Sequence, residues 1–91
     1  MKKRRWFTSK LAHQVGKAIG VDFRKVDLDQ FRKGLVVELE HGRGRGTNVT
    51  DGDLVLTGRI AWAHLKELPD YYTRLLKMER DAENEKRGRI R

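Results

Sequence analysis

Apolar residues recur along this chain at the three- and four-residue spacing of an α-helix. Leu11, Ala12, Val15, Ala18 and Ile19 form one stripe and predict a helix from Ser9 to Ile19. Thr8 or Ser9 can cap its start, and Gly20 can close its end in a left-handed turn. After a short link over residues 21–26, Asp27 with Gln30 three residues on resembles a capping box. Leu28, Phe31, Leu35 and Leu39 then predict a second helix from Asp27 to His41. Leu35, Val37 and Leu39 also alternate as a strand would, and Asp51-Gly52 could turn a hairpin into Leu54-Val55-Leu56. The helix is preferred, because its periodicity reaches back to Leu28 and a short strand would leave that unexplained. Gly42-Arg43-Gly44-Arg45-Gly46 reads as a loop. A third helix begins between Thr50 and Asp53 and runs to Leu68, with Leu54, Gly58, Ala61, Leu65 and Leu68 on one side. Small Gly58 and Ala61 admit a close neighbour. Pro69 stops this helix and suits the first turn of a fourth, which carries Tyr71, Tyr72, Leu75, Leu76, Met78 and Ala82. The fold expected is all-α, a compact bundle of about four helices with a glycine-rich loop. The alternative is α+β with a small hairpin over 35–56.

Ninety-one residues make one domain, lean in apolar content at 37% but sufficient for a single core. The absence of cysteine removes disulfides, thiolate metal sites and cysteine nucleophiles together. No apolar run approaches a bilayer span, so no transmembrane segment is expected. The start resembles the charged opening of a signal peptide, but Lys10, His13, Gln14 and Lys17 interrupt the segment that would have to be apolar. No acid precedes Asp22, a bias shared with mitochondrial presequences, yet the cytoplasm is the expected compartment.

The net charge of +8 changes the picture once it is located. Residues 1–10 hold five basic residues and 86–91 hold four, with no acid in either stretch. The 12 basic and 13 acidic residues of 11–85 leave that body at −1. The expected organisation is therefore a basic flexible arm over 1–8, one helical domain over 9–85 and a basic tail over 86–91. Basic ends on a near-neutral body suggest electrostatic arms rather than a shaped groove.

From Phe31 onward six segments read in order: Phe31-Arg-Lys-Gly-Leu, Val37-Glu-Leu-Glu-His-Gly42, Thr47-Asn-Val-Thr-Asp51, Gly58-Arg-Ile-Ala61, His64-Leu-Lys-Glu67 and Pro69-Asp-Tyr-Tyr-Thr-Arg-Leu75. This order resembles an uncharacterised family of small bacterial and phage proteins known only as a domain of unknown function. The resemblance covers roughly residues 20–80. It implies a compact helical domain and carries over no activity, substrate or cofactor. Asp51-Gly52-Asp53 departs from the run of acids expected there, and the basic ends lie outside the resemblance.

Glu38 and His41 stand at i and i+3, and His64 and Glu67 repeat that spacing in reverse order. On two antiparallel helices the reversal brings His beside His and Glu beside Glu, a donor set for a single divalent transition metal. The structural explanation weighs against it: His41 suits the negative end of a helix dipole, and His64 with Glu67 makes an ordinary surface pair. No catalytic residue is nominated. Ser9, His13 and Asp22 do not form a nucleophile turn, and the glycine-arginine loop matches neither phosphate-binding fingerprint.

Trp6-Phe7 directly after Lys2-Lys3-Arg4-Arg5 is the pattern that stacks on bases while neutralising phosphates. It also suits an anionic membrane surface entered by Trp6, Phe7, Leu11 and Val15, or a simple return of both rings to the core. The expected function is a non-enzymatic, nucleic-acid-associated accessory protein. Its contacts would be Lys2, Lys3, Arg4, Arg5, Trp6, Lys10, Arg43, Arg45, Lys86, Arg87, Arg89 and Arg91, gripping backbone phosphate with little sequence preference. The alternatives are a mononuclear metal protein using Glu38, His41, His64 and Glu67, and an interaction module of phage or bacterial origin. That module would offer Trp62 and Tyr71-Tyr72 to a protein partner or a second copy, although packing is the main role expected of those rings.

Overall fold

The first three helices of the computed structural model start where a short polar side chain takes up their orphan amides. Residues 6–42 and 53–89 are described, His41, Gly42 and Arg89 by backbone alone. Thr8 Oγ1 accepts from Leu11 N to begin α1 (Ser9–Ile19). Asp27 Oδ1 accepts from the amides of Asp29 and Gln30 ahead of α2 (Leu28–Gly42). Asp53 Oδ1 does the same for Val55 and Leu56 at the head of α3 (Leu54–Glu67). Pro69 separates α3 from α4 (Tyr71–Arg89). Gly20, at φ 93°, ends α1 in the left-handed conformation, and Val21 N returns to Gly16 O at 2.9 Å.

The all-α reading is therefore correct among the described residues, and Leu35 to Leu39 lie inside α2 rather than in a hairpin strand. Residues 43–52, which include the glycine-arginine loop, lie outside the described residues.

The core gathers Ala12 and Val15 of α1, Phe31, Leu35 and Val37 of α2, Ala61 and Leu65 of α3, and Tyr72 of α4. Close packing depends on missing side chains. A Cβ placed on Gly58 would meet Val15 Cγ1 at 3.0 Å, so α1 lies against α3 at the small residue the sequence offered. A Cβ on Gly34 would lie 2.5 Å from Tyr72 Cε2 and 2.9 Å from Ala61 Cβ. Gly34 thus opens a slot in α2 for a tyrosine ring, at a helix-propensity cost of about 1 kcal/mol relative to alanine. The start of α4 lies against α2, and residues 80–88 are exposed.

Candidate functional site

The polar residues singled out on α2 and α3 come together in part. Glu38 is only 9% exposed, and its Oε2 lies 3.6 Å from His64 Nε2, an ion pair whenever that imidazole holds its second proton. The same oxygen accepts a 2.9 Å hydrogen bond from the Tyr72 hydroxyl, which reaches it from the fully buried ring through the slot at Gly34. Burial, followed by the adjacent Glu38 charge, holds the Tyr72 phenol well above its ordinary pKa, so it stays a neutral donor. His64 stacks flat on Tyr71 with centroids 4.4 Å apart, and Tyr72 stands edge-on to both rings.

A buried carboxylate with a committed phenol donor and a half-exposed imidazole is a satisfied polar group first, because an unpartnered carboxylate at that depth would be costly. Glu67 is exposed at the end of α3, and the His41 side chain lies outside the described residues. Among the described residues no group of three or more histidines and carboxylates is placed to hold a metal ion.

Tyr72 is the member of this cluster that spacing arguments missed, since it arrives from another helix. Gln30 is a second. The proposed capping box had it serving α2; instead its side-chain carbonyl accepts from Tyr72 N at 3.2 Å and Thr73 N at 3.3 Å. Its amide donates to Thr73 Oγ1. Gln30 therefore caps α4 from the first turn of α2. The signal was present as a glutamine at a helix start, but its partner lay 42 residues away.

The basic ends have a defined root on one side. Arg32 of α2 donates from NH1 to Phe7 O at 3.3 Å, and its guanidinium lies 5.8 Å from the Trp6 ring centroid. Phe7 packs against the core, Trp6 stays 43% exposed, and Val15 is buried. A membrane-facing stripe of Trp6, Phe7, Leu11 and Val15 is thereby excluded, because Val15 faces the bundle. Lys10 is exposed on α1, and Lys86 and Arg87 are exposed on the last turns of α4. Lys2, Lys3, Arg4, Arg5, Arg43, Arg45, Arg91 and the Arg89 side chain lie outside the described residues. Of the rings offered to a partner, Tyr72 is fully buried, Tyr71 is half-buried against His64, and Trp62 lies 4.0 Å beneath the Lys66 ammonium.

No described helix is long and apolar enough to cross a membrane. A family described as a protein of unknown function (DUF5661) matches residues 12–81. No curated protein and no solved structure matches the chain.

Proposed function

Because the chain belongs to that family, whose description assigns no activity, we propose from charge and geometry that it is a cytoplasmic, non-enzymatic, nucleic-acid-associated protein whose basic ends grip backbone phosphates. The observation that carries this reading is the segregation of charge, nine uncompensated basic residues in 1–10 and 86–91 around a body at −1. The Trp6 seat supports it. Arg32 holds the Trp6 ring with 43% of the residue exposed, a stacking surface that directly follows the Lys2–Arg5 run in the sequence.

Neutralising four phosphates gives a log–log salt slope of about −3 to −4, from roughly −0.7 to −0.9 per contact. Fluorescence anisotropy with labelled single- and double-stranded DNA across a salt series tests it. The comparison is the full chain against a full-length variant with Lys2, Lys3, Arg4, Arg5, Lys86, Arg87, Arg89 and Arg91 changed to Gln. Substitution is the right perturbation, since trimming to residue 11 would also remove the Thr8 cap and the Phe7 packing. The variant is expected to lose most of the slope. Equal affinity and slope in both proteins would overturn the role of the ends.

A second reading, one divalent transition metal held by Glu38, His41, His64 and Glu67, has the 3.6 Å approach of Glu38 to His64 in its favour. The Tyr72 hydrogen bond on that same oxygen competes with it. Stoichiometric metal in untagged protein, with a melting temperature lowered by EDTA, is the result this reading requires.

A further inference from the structure

The near-neutral body is not evenly neutral. Residues 11–25 hold Lys17, Arg24 and Lys25 against the single acid Asp22, with Lys10 of the basic N-terminal stretch just ahead of them, while 79–85 hold four acids against Arg80. The positive half is contiguous with the basic arm, and the fold gives it a surface. Lys10, His13 and Lys17 stand at i, i+3 and i+7 on α1, all exposed, while Ala12, Val15 and Gly16 of the same helix face the core. The α1–α2 turn adds Arg24 and Lys25, both exposed.

Asp22 offsets Arg24, and the net positive charge of this face rests on Lys10, Lys17 and Lys25. Asp22 accepts from Arg24 Nε and NH2, each at 3.1 Å, and from Arg24 N at 2.9 Å. Those Arg24 bonds hold its carboxyl below the usual carboxylate range. Between α1 and the turn lies an open recess of about 660 Å³ whose lining includes His13, Lys17, Val21, Phe23 and Arg24.

One aromatic plane is presented on that basic face. The exposed His13 ring stacks on Phe23 with centroids 5.3 Å apart and planes 26° apart. Phe23 is fixed in turn, edge-on to buried Phe31 and seated over Gly16, where a Cβ would lie 2.3 Å from Phe23 Cζ. A chain of contacts thus runs from the core to an exposed ring whose position is set before any ligand arrives, flanked by Lys10, Lys17 and Arg24.

We propose that this α1 face is a single-stranded nucleic-acid site, with phosphates on Lys10, Lys17 and Lys25 and an unpaired base stacked at His13. The proposal rests on the nucleic-acid reading of the basic ends and places a second contact region in the folded body. A nucleic acid fits better than an anionic membrane, because an interfacial helix needs apolar side chains on its outer face. The exposed large apolar residues of the described structure, Trp6, Val55, Leu56, Leu68 and Met78, lie outside residues 10–25.

The test uses four full-length proteins: wild type, the tail-neutralised protein, Lys10→Gln/Lys17→Gln/Lys25→Gln, and His13→Ala. Each is titrated with labelled oligothymidylate, with duplex DNA of equal length and with vesicles containing phosphatidylserine, across a salt series. Circular dichroism checks that the four share one fold; Lys10, His13, Lys17 and Lys25, the residues changed on the face, are all exposed. The triple variant is expected to lose about 2 from the magnitude of the single-strand salt slope, three contacts at roughly 0.7 each. His13→Ala is expected to weaken single-strand binding about fivefold or more, the lower end of a base-stacking contribution, and to leave duplex binding unchanged. If the tail-neutralised protein loses all binding while the two face variants bind as wild type, the face proposal is overturned and the tail reading stands. If the tail-neutralised protein binds as wild type and the triple variant does not, the face stands and the tails fail. Wild-type protein that binds neither DNA at low salt, or binds only vesicles, overturns both.

Discussion

Replacing Tyr72 with Phe removes one oxygen atom and leaves the ring in its slot at Gly34. That oxygen donates to Glu38 Oε2 at 2.9 Å, between a residue with no exposed surface and one 9% exposed. A buried hydrogen bond to an ionised acceptor contributes about 1.5–3 kcal/mol. The loss falls at the upper part of that range, because the Glu38 carboxylate stays buried after its donor has gone. A domain of this size shifts by about 4–8 °C per kcal/mol, so a loss of about 2–3 kcal/mol in Tyr72→Phe should lower the melting temperature by about 8–24 °C.

Thermal unfolding followed by circular dichroism measures this directly, and a double-mutant cycle with Glu38→Gln isolates the bond. In the Gln background the acceptor is neutral, so removing the hydroxyl should cost about half as much. The pH arm has a definite sign. The Tyr72 pKa is raised in the folded protein, so its contribution is complete below about pH 10, the ordinary tyrosine value. Above that pH the unfolded chain releases a proton that the folded protein retains. Stability then falls by up to about 1.4 kcal/mol per pH unit from this group. Tyr72→Phe abolishes that part of the alkaline loss, and the two proteins should converge in stability as pH rises. A loss under about 0.5 kcal/mol at neutral pH, or one that Glu38→Gln leaves unchanged, would refute the assignment of Tyr72 as the partner that makes Glu38 tolerable.

Gly34→Ala gains about 1 kcal/mol of helix propensity and pushes a methyl group to 2.5 Å from the Tyr72 ring, an overpacking cost of about 1–3 kcal/mol. Urea denaturation should show a net loss, whereas Gly88→Ala, with nothing within 4 Å of the added methyl, should show none. Gln30→Ala should cost about 1 kcal/mol, as the loss of a helix cap does, and should speed amide exchange at Tyr72 and Thr73. Unchanged exchange at those two amides would mean that Gln30 does not cap α4 in solution.

The helices were legible because each is signalled locally: a capping side chain, a stripe of apolar residues, a glycine or proline to stop. Thr8, Asp53, Gly20 and Pro69 all do what their types suggest. That α2 and α3 meet at polar residues was also legible, but not the pairing: the reversed spacing implied His beside His and Glu beside Glu, whereas Glu38 meets His64 and Glu67 is exposed. The contribution of α4 was not legible. Tyr72 read as a packing residue, and its hydroxyl has no sequence signal that points to a carboxylate 34 residues earlier. Gln30 was misassigned because its type and spacing satisfied a local rule while its geometry served a distant helix. The charge count over 11–85, though correct as a sum, averages over basic residues on α1 and the turn after it and an acidic stretch on α4.

Gln30, Gly34 and Glu38 stand at i, i+4 and i+8 on α2, one ridge along a single face. The first takes up the amides at the start of α4, the second makes room for the Tyr72 ring, and the third receives its hydroxyl. A contact built from an amide cap, a slot and a buried charge is directional, whereas apolar packing tolerates sliding and rotation. It therefore fixes where α4 begins and which way it points, before the helix leaves the body as an exposed rod that carries Lys86 and Arg87. The same logic fixes the other end, where Arg32 binds Phe7 O and holds Trp6 one helical turn before Leu35. The α2 helix, central in the core, thus holds both Trp6 and the start of α4 in place. Gln30, Arg32 and Glu38 of α2 all serve that positioning.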